Sequence, residues 1–82
     1  MKTTETIRDF NGRILGYIET DSITNDQIGR DFYNVIVGYY DAKQKVTRDF
    51  YRRIVGRGNI LASLIMRAAE ENERKRTLKN NK

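Results

Sequence analysis

The chain has 82 residues, and its 16 Lys and Arg against 11 Asp and Glu give a formal net charge of +5. It has no Cys, His or Pro, which excludes disulfides, thiolate or imidazole zinc sites and Ser-His or Cys-His nucleophilic catalysis. This length allows one domain with a small core, and no apolar run is long enough to span a membrane. We therefore expect a cytoplasmic homo-oligomer that is not an enzyme, holds no metal or cofactor and does not bind membranes.

Residues 6–57 contain one pattern three times. The triplet Arg-Asp-Phe begins at Arg8, Arg30 and Arg48. Each triplet is followed by an aliphatic pair and a glycine, and these glycines are Gly16, Gly38 and Gly56. A period near 20 residues is typical of a repeat architecture, in which each copy is one supersecondary unit.

Each copy has the pattern of a β-hairpin. Asn11-Gly12 predicts a two-residue type I′ turn, because both central residues of that turn need positive φ. Tyr33-Asn34 and Tyr51-Arg52 take the same positions in the later copies, where Arg52 predicts strain or a different turn. The polar segments 19–26 and 41–45 predict the connections between hairpins.

A two-residue turn also predicts the register of the first hairpin. Phe10 would lie opposite Arg13, Asp9 opposite Ile14, and Arg8 opposite Leu15. One face would then carry Arg8, Phe10, Arg13, Leu15 and Tyr17. The other face would carry Ile7, Asp9, Ile14, Gly16 and Ile18. The repeated glycine predicts a close approach by another backbone or a ring.

The period of the apolar residues changes from Ile60 onwards. Asn59 is a good N-cap, and apolar residues then recur at helical spacing, at Ile60, Leu61, Leu64, Ile65 and Ala68. The segment 74–82 is basic. The prediction is an α+β fold with three antiparallel hairpins (six short strands) in residues 1–58 and an amphipathic helix with a basic tail in residues 59–82.

Arginines and aromatic rings are the candidate binding groups. Arginine grips phosphate through parallel hydrogen bonds, and an aromatic ring offers a face to a base. The alternative role is structural. Each repeated arginine precedes an aspartate, and the arginine of one hairpin could form an ion pair with the aspartate of the next. The segment Gly56-Arg57-Gly58-Asn59 opens the helix, where free backbone N–H groups attract anions. The candidate ligand-binding residues are Arg8, Arg30, Arg48, Phe50, Tyr51, Arg53, Arg57 and Asn59.

The segment from Ile7 to Ile18, with its Phe-Asn-Gly-Arg turn and Gly16-Tyr17 pair, resembles the repeated hairpin of small beta-flower-like proteins of bacteria and phages. The resemblance covers residues 6–57, although Asn34 and Arg52 replace the turn glycine in the later copies. Among phage proteins it implies a counter-defence role in which an oligomer sequesters a cyclic nucleotide signal.

These observations favour a non-enzymatic, homo-oligomeric protein that binds a small anionic, nucleotide-like ligand. One alternative is a nucleic-acid-binding protein that uses the basic C-terminal helix, with a strong dependence on salt. Another is a protein-protein interaction or inhibitor module that uses a sheet edge.

Overall fold

The computed structural model describes the backbone of residues 2–80 and the side chains of residues 2–74. It contains six strands and one helix. They are β1 (Lys2–Arg8), β2 (Ile14–Asp21), β3 (Gln27–Asp31), β4 (Ile36–Asp41), β5 (Val46–Asp49), β6 (Ile54–Arg57) and α1 (Leu61–Asn80). The strands form one antiparallel sheet in the order of the chain. The predicted α+β fold of three hairpins followed by a helix is therefore confirmed. The basic tail falls outside the described side chains except for Arg74.

The hairpin turns are one residue longer than the sequence predicts. In the first, the N–H of Asp9 donates to the carbonyl of Arg13, and the N–H of Gly12 donates to the carbonyl of Asp9, each at 3.0 Å. The loop therefore has three residues, and only its last residue needs positive φ. That residue is Gly12 (φ 85°), Asn34 (φ 70°) or Arg52 (φ 68°). The predicted type I′ turn is therefore wrong in the first two hairpins, and the third has a different turn, as expected at Arg52.

The longer turn changes the register. Arg8 pairs with Ile14 and Ile7 with Gly16, with a bulge between the two pairs, so Arg8 does not lie opposite Leu15 as predicted. The same shift recurs in the second and third hairpins. Ile14 therefore shares a face with Arg8, whereas Ile7, Gly16 and Ile18 face the helix. Phe10 lies in the turn itself.

Helix α1 packs across three adjacent strands, β2, β3 and β4. Its Leu61 and Ile65 are fully buried and form the core with Ile18. A Cβ on Gly38 would lie 2.7 Å from both the carbonyl oxygen of Arg48 and Leu64 Cδ1. Close approach of the helix and the next strand therefore requires glycine there, as the repeat indicates.

Side chains at the end of the sheet away from the three hairpin turns fix the start of the helix. Asn59 Oδ1 accepts from the N–H of Leu61 at 3.2 Å, and its Nδ2 donates to Gln27 at 2.6 Å. The buried Thr47 hydroxyl accepts from the N–H of Ile60 at 3.0 Å and donates to the carbonyl of Gly58 at 2.7 Å. Across residues 2–80, no helix has the length and apolar character needed to cross a membrane.

Candidate functional site

The three hairpin turns lie side by side at one end of the sheet, because they join consecutive strand pairs of a meander. We call this end, residues 8–13, 30–35 and 48–53, the turn end. Its aromatic rings are exposed, with 97% of Phe10 and 53% of both Phe32 and Phe50 accessible to solvent. Arginines and rings therefore meet on one edge of the molecule.

The repeated aspartates build these turns. Asp31 Oδ1 accepts from the N–H groups of Tyr33 and Val35 at 2.8 and 2.9 Å, and Asp9 does the same in the first turn. In the third turn the N–H of Arg53 donates to Asp49 at 2.9 Å. This backbone hydrogen bond, aided by the Arg53 guanidinium, lowers the pKa of Asp49 from its ordinary value against an opposing effect of burial.

The repeated arginines also stabilise the same turns through side-chain hydrogen bonds. Each guanidinium donates to the carbonyl oxygen four residues later. These bonds run from Arg8 to Gly12 at 3.0 Å, from Arg30 to Asn34 at 3.5 Å and from Arg48 to Arg52 at 3.1 Å. A guanidinium has five N–H donors, so each arginine keeps donors for further partners. The structural role is present, and a ligand-binding role remains a prediction.

The face of the sheet opposite the helix, which we call the open face, places a tyrosine beside two of these arginines. Tyr17 pairs with Arg30 across β2 and β3, and Tyr39 pairs with Arg48 across β4 and β5. The guanidinium of Arg52 lies over the Tyr39 ring, 4.6 Å from its centroid. This contact is a cation–π interaction.

A cleft of about 760 Å³ opens beside Tyr17, and we call it the open-face cleft. Its charged groups are Arg30 and Glu19, whose side chains approach to 3.9 Å. Lys2 lies 3.8 Å from the same carboxylate of Glu19. The cleft is lined by Thr4, Tyr17, Glu19, Arg30, Phe32, Tyr33 and Asn34.

A second cleft, of about 480 Å³, lies where the helix meets the first two turns. Two contacts between helix and turns border it. Arg13 pairs with Glu73 at 3.2 Å, and Asn72 Nδ2 donates to Asp31 Oδ2 at 3.3 Å. These contacts hold the second half of the helix against the turn end.

The predicted site residues occupy two separate places. Phe50, Tyr51 and Arg53 form one cluster in the third turn, in which Arg53 lies 5.4 Å from the Tyr51 ring centroid and 3.1 Å from Asp49. Arg57 ends β6 at the far end of the sheet, and Asn59 caps the helix beside Gln27. The sequence prediction put these residues in one ligand-binding set, whereas the structure places them at opposite ends of the sheet.

Backbone N–H groups at the predicted anion-binding turn, residues 56–59, already donate to acceptors within the protein. The N–H of Gly58 donates to the carbonyl of Lys45 at 2.7 Å. The N–H groups of Ile60 and Leu61 donate to the Thr47 hydroxyl and to Asn59 Oδ1. An anion at this turn would have to displace these bonds.

The sequence analysis missed three residues that line the open-face cleft, Tyr17, Glu19 and Asn34. It also missed Tyr39 and Arg52, which lie at the equivalent place in the next hairpin. One signal was available, since a tyrosine follows the repeated glycine in the first two copies. Within the described residues no acidic cluster could hold a metal ion. Comparisons with protein-family models, curated proteins and solved structures give no match to this chain.

Proposed function

We propose that the protein is a non-enzymatic, homo-oligomeric binding protein for a small anionic, nucleotide-like ligand, which it holds on the open face of the sheet. The observation that carries this proposal is the row of Arg8, Arg30 and Arg48, with the Tyr17 ring beside the middle arginine. A nucleotide needs a cation for its phosphate and a flat apolar surface for its base.

Binding without turnover has a clear use. A protein that holds a nucleotide and does not convert it lowers the free concentration of that nucleotide. This is the activity of a counter-defence protein that sequesters a cyclic nucleotide signal, the role implied by the resemblance to phage hairpin-repeat proteins. Sequestration requires protein in at least stoichiometric amount and affinity matched to the signal.

The first experiment is a thermal-shift screen against cyclic and linear nucleotides, with short DNA and RNA as comparison. A ligand at 100 times its Kd stabilises the folded state by about 2.7 kcal/mol, roughly 10 °C for a domain of this size. We expect one class of nucleotide to raise the Tm by about this amount. No shift with any nucleotide would remove this function in favour of a protein partner.

Paired variants then test the arginines. Arg30→Gln keeps a hydrogen-bond donor and removes the charge, so we expect it to weaken nucleotide binding by about tenfold, as for the loss of one charge-assisted hydrogen bond. Arg67→Gln is the matched control, because Arg67 is exposed on the helix, away from the open face. Equal affinities of Arg30→Gln and Arg67→Gln, measured by calorimetry, would contradict the assignment to the open face.

A second candidate function is nucleic-acid binding by the C-terminal helix. The helix backbone continues from Glu73, which pairs with Arg13, to Asn80, and this stretch of sequence is rich in Lys and Arg. This function predicts binding of oligonucleotides that weakens steeply with salt and is lost when residues 75–82 are removed. Nucleotide binding on the open face would survive that truncation.

A further inference from the structure

The open face contains two equivalent places, related by the repeat. One lies between the first and second hairpins, with Tyr17, Arg30 and Asn34. The other lies between the second and third hairpins, with Tyr39, Arg48 and Arg52. The cross-strand pairs correspond, and Asn34 and Arg52 have nearly the same φ, 70° and 68°. Any difference between the two places therefore comes from the side chains.

The side chain at the end of the turn decides which tyrosine is covered. Arg52 reaches the Tyr39 ring and places its guanidinium carbon 4.6 Å from the ring centroid. Asn34 is too short to do the same for Tyr17. In the part of the chain whose side chains are described, no cation or ring stacks on Tyr17, and the open-face cleft lies there instead.

We propose that the base of a nucleotide stacks on Tyr17 while its phosphate contacts Arg30, and that Arg52 occupies and blocks the equivalent place at Tyr39. The chain thus has one such site instead of two. This inference rests on the proposed function and adds the site, the way the base is held and the residue that sets the stoichiometry.

The shape and charge of the cleft support a nucleotide. Its volume lies within the range of small-molecule sites, about 300–1,000 Å³. Arg52 shows by its own position that the tyrosine ring, in this backbone setting, accepts a planar group. Glu19, the one acidic residue that lines the cleft, is paired with Arg30 at 3.9 Å and with Lys2, which lies outside the cleft, at 3.8 Å, so the cleft favours an anion over another guanidinium.

The sharpest test introduces the covering arginine at the first place. Asn34→Arg places an arginine on a backbone that already carries one in the next hairpin, so the fold should accept it, and circular dichroism checks this. We titrate the protein with AMP, UMP and their 3′,5′-cyclic forms by calorimetry. For the nucleotide that binds, we expect Asn34→Arg and Tyr17→Leu each to weaken binding by at least about fivefold, the lower end of base–aromatic stacking.

The reverse change should create a site. Arg52→Asn uncovers Tyr39, so we expect the stoichiometry to rise from one nucleotide per chain to two. Tyr39→Leu is the matched control, because it should leave binding to the wild-type chain unchanged and abolish the gain in the Arg52→Asn background. In ¹H–¹³C spectra the Tyr17 ring signals should shift on binding, and those of Tyr39 should shift only in Arg52→Asn.

The outcomes separate the two proposals. Wild-type binding that is unaffected by both Tyr17→Leu and Asn34→Arg would overturn the stacking site and leave the proposed function in place. Absence of binding to wild type would overturn both. Tighter binding of free arginine than of any nucleotide, at the same Tyr17 signals, would overturn the nucleobase assignment, because the cleft would then take a cation.

Discussion

The aspartate of each Arg-Asp-Phe triplet is the residue that fixes its turn. Its carboxylate accepts backbone N–H groups two and four residues ahead, as Asp31 does from Tyr33 and Val35. These bonds satisfy donors that strand pairing leaves free and hold the following residues in a type I turn. The triplet is therefore a turn motif first, and its phenylalanine is exposed because the turn directs it outward.

The pKa of Asp49 makes the third turn sensitive to acid. Hydrogen bonding by the Arg53 N–H, together with the Arg53 guanidinium, lowers the pKa below its ordinary value of 3.8. A carboxylate with a lowered pKa stabilises the fold above its unfolded pKa, and this contribution is lost as pH falls through the folded pKa. We expect the Tm to fall as pH is lowered below about 4 and to fall less in Asp49→Asn.

Carboxyl ¹³C titration measures this directly. The titration midpoint of Asp49 should lie below 3.8. Thr20→Ser is a suitable control for the variant, because it leaves every turn carboxylate in place and should keep the wild-type pH dependence. A midpoint at or above the ordinary value would contradict the role of the backbone bond.

The turn shows what residue patterns did and did not predict. Asn11-Gly12 correctly marked a turn, but the two-residue form was wrong, because Asp9 accepts two N–H bonds and thereby favours the longer loop. Asp with Gly three residues later is the pattern of a type I turn, and it was present in the sequence. The expectation of strain or a different turn at Arg52 agrees with its φ of 68°.

At the scale of elements, glycine sets the distance between the sheet and the helix. Gly29 and Gly38 lie directly opposite each other, yet a Cβ would meet different surroundings. On Gly38 it would lie 2.7 Å from a backbone carbonyl, whereas on Gly29 the nearest atom is Leu61 Cδ2 at 3.2 Å. A side-chain methyl can move more easily than a paired strand.

We therefore predict that Gly38→Ala destabilises the protein by about 1–3 kcal/mol, the usual cost of overpacking. Gly29→Ala should cost less than about 1 kcal/mol, because the unfolded chain also loses entropy when glycine is replaced. Urea unfolding of the two variants measures the difference. Equal losses would show that the repeated glycine serves the conformation of the strand and not the approach of β5 and the helix.

The elements themselves were more predictable than their pairing. Alternation and turn residues predicted six strands, and the change of period after Asn59 predicted the helix. The bulges were not predictable from alternation, because a bulge inserts one residue without changing the residue types around it. They place Leu15 and Val37 against the core, where strict alternation would have sent Leu15 to the face of Arg8.

At the scale of the molecule, the helix leaves part of its own side of the sheet uncovered. Leu15, Val37 and Val55 are equivalent in the three repeats. The first two pack against the core, whereas Val55 is 45% exposed, since α1 packs mainly on β2, β3 and β4. The buried apolar residues of the described chain are only Ile18, Leu61 and Ile65, a small core for independent stability.

A second copy of the chain that covers β5 and β6 would bury the apolar surface, including Val55, that the helix leaves exposed. In an oligomer the Tm rises with protein concentration, because association stabilises the folded state by mass action. We expect sedimentation to show a dimer or larger species and Val55→Lys to shift it towards monomer with a lower Tm. Val35→Lys is the control, since Val35 is also exposed but lies in a turn. A wild-type monomer whose Tm is independent of concentration would contradict the homo-oligomer, and equal effects of the two variants would contradict this interface.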